Sequence, residues 1–278
     1  MMQIQFRPET PDDYFAVESL TREAFWGYMG PTCDEHYLVH LLRDSAAFVP
    51  ELDIVAEVDG KLAGHIMFSK AKVMDKEGIA HEVLTFGPLS VLPEFRNRGV
   101  GSALMRHTIP KAREMGYSAI IIFGHPDYYP RFGFVNANRF GITTPDGKNF
   151  DALMAMPLFD GALSDISGVF IEDPAFEINA EDAKAYDKRF PHKEPAAMTP
   201  ISVLLNFLPP EAAKAFIDHG FENLQMLTTV SGREMLSWEG VGENAMETVN
   251  RTLAEHGLPG KLLPTSPILQ LAEMGIQC

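Results

Sequence analysis

Hydrophobic positions along the chain switch between a period of two and a period near 3.6, which predicts strands interleaved with helices. Residues 2–7 alternate as a strand with Ile4 and Phe6 on one face. Thr10 is a helix N-cap with Asp12 and Asp13 in the first turn, and Tyr14, Val17, Leu20 and Phe25 follow at helical spacing. Asp34 caps a second helix over Glu35–Arg43. Residues 52–58 and 61–73 form a hairpin around Asp59-Gly60, a strong turn dipeptide. A turn near 75–78 leads to a fourth strand over 82–92.

The next helical face carries Val100, Leu104, Met105, Ile109, Ala112 and Met115 and ends at Gly116. Pro110 sits inside it, and an interior proline costs about 3 kcal/mol, so a kink or break is expected near residues 106–109. Residues 117–123 read as a strand buried on both faces. Gly124-His125-Pro126 turns it, a short helix carries Tyr128 and Tyr129, and Phe134 opens another strand. Residues 151–157 are the last convincing strand. Residues 172–200 are polar, with prolines at 174, 191, 195 and 200, and read as tail and linker. Beyond them the pattern is all-helical. A helix spans 210–219, short helices span 221–227 and 233–238, Glu239-Gly240-Val241-Gly242 makes a tight hairpin, and a longer helix spans 243–256 up to Gly257.

Candidate chemistry is concentrated in residues 84–102, LTFGPLSVLPEFRNRGVGS. A strand runs into a glycine-rich turn that opens a helix, the arrangement of a phosphate cradle. Glycines let the backbone approach the anion, and the first helical amides point at it unpaired. Arg96 and Arg98 add positive charge. No Lys-Ser or Lys-Thr follows the second glycine, which excludes a nucleoside-triphosphate P-loop, and the third glycine of the dinucleotide fingerprint is absent.

Val91-Leu92-Pro93 followed by Arg96 through Gly101 resembles the pyrophosphate loop of the GNAT superfamily of N-acetyltransferases, Gln/Arg-x-x-Gly-x-Gly/Ala. Tyr129 to Phe134 is similar to that family's Tyr-x-x-x-Gly-Phe signature. A bacterial subgroup with Gly-x-Pro-x-Tyr-Tyr-x-Arg-Phe-Gly-Phe resembles residues 124–134 more closely, and it also carries counterparts of Gly161-Ala162-Leu163 and Ser167-Gly168-Val169. The resemblance covers about residues 1–195. It implies an α/β fold of GNAT type, a mixed and mostly antiparallel sheet flanked by helices. It also implies acetyl-CoA as co-substrate and an amine acceptor, either a small molecule or a peptide. By the same resemblance the Leu89 amide polarises the thioester carbonyl and Val91 pairs with the pantetheine arm. Arg96, Arg98, Gly99, Val100, Gly101 and Ser102 hold the pyrophosphate. Tyr129 is the general acid, with Tyr128 as its substitute, and the aromatic stretch 25–40 shapes the acceptor site. The family's base has no fixed position, which leaves Glu82, His65, Glu23 and His125 as candidates by residue type.

The segment from 200 onward resembles the C-terminal domain of the bacterial RNA polymerase alpha subunit, a helix-hairpin-helix unit. The expected organisation is therefore a GNAT domain over 1–180, a linker over 181–199 and a small all-α domain over 200–278. Such hairpins grip DNA phosphate, but here Glu239, Glu243 and Glu247 flank it, and Lys214, Arg233, Arg251 and Lys261 face nine acidic residues from Thr199 on. With a net charge of -15 for the chain, nucleic-acid binding is disfavoured, and a protein partner or dimer contact suits this domain better. A second function class follows from that domain, a CoA-binding adaptor without turnover that contacts transcription machinery.

At 46% hydrophobic and 22% charged residues, the 278-residue chain has the composition of a soluble two-domain protein. No apolar run reaches the ~20 residues of a membrane span, and the N-terminus lacks the pattern of a signal peptide. Cys33 and Cys278 make neither a disulfide framework nor a metal cluster, so a cytoplasmic protein without a metal is expected.

Overall fold

The computed structural model describes residues 3–28 and 30–261. Strand β1 (Ile4–Pro8) leads through a turn to helices α1 (Tyr14–Phe25) and α2 (Glu35–Arg43). The Thr10 amide and hydroxyl both donate to the Asp13 carboxylate and fix the entry to α1. Strands β2 (Ile54–Val58) and β3 (Lys61–Met74) form the expected hairpin, with Asp59 and Gly60 both at positive φ. Strand β4 (Ala80–Val91) returns along β3 and feeds helix α3 (Val100–Glu114), and β5 (Ala119–Phe123) follows. The short β6 (Val135–Asn136) and β7 (Ile142–Thr143) precede β8 (Leu153–Pro157) and β9 (Gly168–Ile171).

These strands build one nine-stranded sheet in the order β1-β2-β3-β4-β5-β8-β6, while β9 pairs with both β3 and β7. All pairs are antiparallel except β4 with β5 and β7 with β9. One face buries Ile66, Phe68, Leu84 and Phe86 beneath Leu104 and Met105 of α3. The other buries Val55 and Met67 beneath Val17, Leu38, Val39 and Leu42 of α1 and α2.

Three expectations change. Helix α3 runs through Pro110 without a break, because Leu104, Met105, Ile109 and Ala112 are all buried on its sheet-facing side and their packing outweighs the proline's cost. The last strand is β9, not residues 151–157: Lys72, Val73 and Met74 of β3 pair with Ile171, Phe170 and Val169. The polar stretch after it contains helix α4 (Ala180–Asp187), which docks on the first two helices. There Arg22 Nε donates to Asp187 Oδ1 at 2.6 Å and Tyr186 donates to Glu18 at 2.8 Å. Phe190 stacks on Phe15, the Trp26 indole donates to the Glu194 carbonyl and the Ala196 amide bonds to Pro31. Polar composition concealed this segment because its anchors are ion pairs and single aromatics rather than a hydrophobic stripe.

Helices α5 (Ser202–Leu205), α6 (Pro210–Asp218), α7 (Gly232–Leu236) and α8 (Glu243–Glu255) enclose their own core of Leu204, Phe216, Leu227, Met235, Met246 and Val249. No helix among the described residues is long and apolar enough to cross a membrane.

Candidate active site

The β3–β4 register shifts between Ile66 and Phe68, which sets Leu89 opposite Ile66 and Phe86 opposite Phe68. Gly87-Pro88, joined by a cis peptide bond, fills the extra place. Leu84, Phe86, Leu89 and Val91 therefore all lie on the α3 side of the sheet, while Ser90 lies on the other, 3.0 Å from the Thr21 hydroxyl of α1. Strands β4 and β5 pair only at Leu84–Ile120. Past that pair, residues 85–91 of β4 have no register partner on β5.

Strand β4 leads to the N-terminus of α3. Gly99 caps the helix at φ 85°, which only glycine adopts without strain. The first bond in the helix runs from the Ala103 amide to the Gly99 carbonyl, so the amides of Val100, Gly101 and Ser102 remain for an anion. A Cβ on Gly101 would lie 3.1 Å from the Tyr128 hydroxyl and 3.5 Å from Val91. The Tyr128 hydroxyl is also 3.3 Å from Ser102 Oγ. Leu89, Val91, Gly101, Ser102 and Tyr128 thus meet in one place. The two arginines differ: Arg96 donates to the Ala24 carbonyl and ties the loop to α1, whereas Arg98 is exposed near Phe95.

Tyr129 occupies a different environment. Its ring packs against Phe86 and Phe134, and burial, with Tyr128 and Tyr28 nearby, holds its phenol well above the usual tyrosine range. Tyr28 reaches this cluster from the turn after α1, and the Thr228 hydroxyl of the helical segment bonds to it. The ring of His125 bonds to the Thr228 backbone, and Ser231 and Arg233 bind Asp151, so helical residues border the same loops.

Among the four base candidates, Glu82 is exposed and paired with Lys70, and Glu23 is paired with Lys193. His65 is fully buried, bonded to Asp53 at 2.6 Å, and its pKa is pushed down to about 4 by burial. Burial also lowers His125 to about 4. Two carboxylates that carry no sequence signal stand out instead. Glu35 and Glu172 are both raised to about 7 by burial. Only a tertiary contact map could have found them, since neither belongs to a motif. Glu9, Asp53 and His65 come within 4.8 Å of one another, but Arg43 grips both Glu9 oxygens at 2.9 and 2.6 Å and supplies the positive charge a cation would bring. The Cys33 thiol lies 3.7 Å from His36 Nδ1, and burial raises its pKa, which makes it a poor nucleophile. Cys278 lies outside the described residues.

Residues 17–134 match the model of the acetyltransferase (GNAT) family. This is a GNAT fold. The uncharacterized N-acetyltransferase YjhQ of Escherichia coli is 39% identical over 94 residues, 34% of this chain and 51% of YjhQ, so the chain spans about half of that relative's length. The uncharacterized N-acetyltransferase YhbS of the same species is 27% identical over 163 residues, 59% of this chain and 92% of YhbS. The crystal structure of YhbS in complex with CoA superposes with a TM-score of 0.56 at 26% identity and covers 64% of this chain and 94% of YhbS. A GNAT acetyltransferase from Brucella melitensis in complex with acetyl-CoA gives 0.50 at 27% identity, over 63% and 98% of the two chains. The matched region contains residues 85–91, the α3 amides and both tyrosines, while the helices beyond 200 lie outside it.

Proposed function

We propose that this chain transfers an acetyl group from acetyl-CoA to an amine. The observation that carries this reading is the β4 edge beyond its last pair with β5, which leads to the free amides of Val100, Gly101 and Ser102 at the start of α3. A pyrophosphate suits those amides, and the strand edge of residues 85–91 suits a pantetheine arm. The two relatives crystallised with CoA or acetyl-CoA lend the donor its identity. Leu89 offers its amide to the thioester oxygen, Val91 pairs with pantetheine, and Arg98 with Gly99 and the three amides holds phosphate. Arg96 acts by fixing the loop. Tyr129 serves as the acid that protonates the leaving thiolate, and Tyr128, whose hydroxyl borders the cradle, is the second candidate for that role. An alkylammonium has a pKa near ~10, so the acceptor must lose a proton before it attacks.

Residues 200–261 form, on this proposal, a separate helical unit on a helix-hairpin-helix plan; residues 262–278 of the expected domain lie outside the described residues. The Gly240–Gly242 turn between α7 and α8 supports it: the turn packs so closely on α6 that a Cβ on Gly240 would fall 2.8 Å from Glu211. Acidic surroundings favour protein over nucleic acid as its partner. The non-catalytic adaptor reading has no observation in its favour. The test is release of CoA thiol from acetyl-CoA in the presence of polyamines, aminoglycosides, amino acids and peptide N-termini. Amine-dependent release supports the proposal, and release with none of them refutes it.

A further inference from the structure

Beyond its last pair with β5, strand β4 presents two faces, and the two hold different chemistry. The α3 face carries Leu89, Val91 and the anion cradle. On the opposite face, beyond the last β4–β5 pair, the first side chain is Thr85, which is 1% exposed. Its hydroxyl donates to Glu172 Oε1 at 3.5 Å. Glu172 follows β9 directly, and Ile171 is locked in register with Lys72 of β3. Asp173 then caps the next turn by accepting the Ala175 amide at 2.9 Å, so the backbone on both sides of Glu172 is fixed. That turn covers Gly87, whose missing Cβ would sit 3.7 Å from Phe176.

We infer that Glu172 is the general base of the acetyl transfer, positioned by Thr85, for an acceptor that enters on the α1 face while acetyl-CoA enters on the α3 face. The inference rests on the acetyl-transfer reading above. A carboxyl whose burial raises it to about 7 is suited to take a proton from an ammonium at neutral pH. The Thr85 hydroxyl favours the ionised form and limits that rise. Charged neighbours are otherwise engaged: Lys70 pairs with Glu82, Lys72 is exposed, and Asp173 caps its turn.

In the step, the Glu172 carboxylate takes one proton from the acceptor ammonium. The freed nitrogen lone pair forms the C–N bond at the thioester carbonyl carbon, the C–S bond breaks, and the thiolate receives a proton from the tyrosine hydroxyl. The nitrogen loses its second proton as the amide forms, which restores the tyrosine, and Glu172 releases its own proton to solvent. Ammonium and acetyl-CoA thus give acetamide, CoA thiol and one proton.

The test compares wild type, Glu172→Gln and Thr85→Val by calorimetric titration with acetyl-CoA and by thiol release across pH with the amine panel. Wild-type turnover is expected to rise as pH passes about 7, because the carboxyl must be ionised to accept. Glu172→Gln should lower kcat/KM by roughly 10²–10⁴-fold and abolish that limb while acetyl-CoA affinity stays unchanged. Thr85→Val should retain turnover with the limb moved to higher pH, since the hydroxyl that favours the carboxylate is gone; this second variant decides the matter if the first does not fold. Wild-type turnover and pH limb in Glu172→Gln, or an unmoved limb in Thr85→Val, overturn the base assignment alone. Acetyl-CoA bound but turned over with no amine overturns the acetyl-transfer reading and the base with it.

Discussion

Tyr128 and Tyr129 are adjacent in sequence, yet their hydroxyls serve different surroundings. Tyr128 reaches Ser102 and closes on Gly101, where a Cβ would lie 3.1 Å from its hydroxyl, while the Tyr129 ring is clamped by Phe86 and Phe134. Tyr129→Phe is therefore expected to lower turnover by roughly 10²–10⁴-fold with acetyl-CoA affinity preserved, as loss of an acid would. Tyr128→Phe is expected to weaken acetyl-CoA binding more than turnover. Steady-state kinetics beside a binding titration separates the two, and the reverse pattern would exchange their roles. Both tyrosines were legible in the sequence because they belong to a contiguous motif, although the motif did not say which hydroxyl faces the cradle. Glu172 and Thr228 were not legible. Each meets a partner far along the chain, Thr85 and Tyr28, and such pairings leave no local pattern.

At the scale of elements, strong periodicity was a good guide: α2 and the β2–β3 hairpin form where alternation and turn chemistry put them. Two elements escaped for opposite reasons. Strand β9 is four residues long, and it begins at Gly168, where φ is 137° and a Cβ would fall 2.1 Å from the Met74 carbonyl oxygen. No sequence rule anticipates so close a backbone crossing. Helix α3 was expected to kink or break near residues 106–109, and it continues unbroken through Pro110, since the side that faces the sheet is packed throughout. The proline still removes one helical hydrogen bond on the exposed side of the helix. Pro110→Ala should accordingly stabilise the protein by about 1–3 kcal/mol and raise Tm by several degrees. An unchanged or lower Tm in thermal unfolding would mean that the helix has adapted its backbone to the proline.

On the scale of the whole molecule, the helical segment touches the sheet-bearing part of the chain at Asp151, Tyr28 and His125. Asp151 accepts from Ser231 and Arg233, and Thr228 bonds to Tyr28 and His125. The sequence suggested two units joined by a linker, but α4 and residues 190–196 are bound to α1 and the turn after it by Asp187, Phe190, Glu194 and Ala196. A chain ended after residue 199 keeps that segment along with residues 85–91, the cradle and both tyrosines. It should bind acetyl-CoA as the full chain does and melt at a lower temperature, because Asp151 and Tyr28 lose their partners. Loss of acetyl-CoA binding in a folded truncation would make the helical unit part of the donor site.

The donor site itself is the centre of this account. Its most direct test is calorimetric titration of the full chain with acetyl-CoA, run beside Gly101→Glu. The wild type should bind one acetyl-CoA per chain and gain stability as RT ln(1 + [L]/Kd), about 2.7 kcal/mol at a hundredfold excess over Kd. Gly101→Glu should keep its fold and lose binding, because its side chain and negative charge enter the space between Tyr128 and the α3 amides. A wild type that takes up no acetyl-CoA, or a Gly101→Glu variant that binds it as tightly as the wild type, would contradict the cradle and the function built on it.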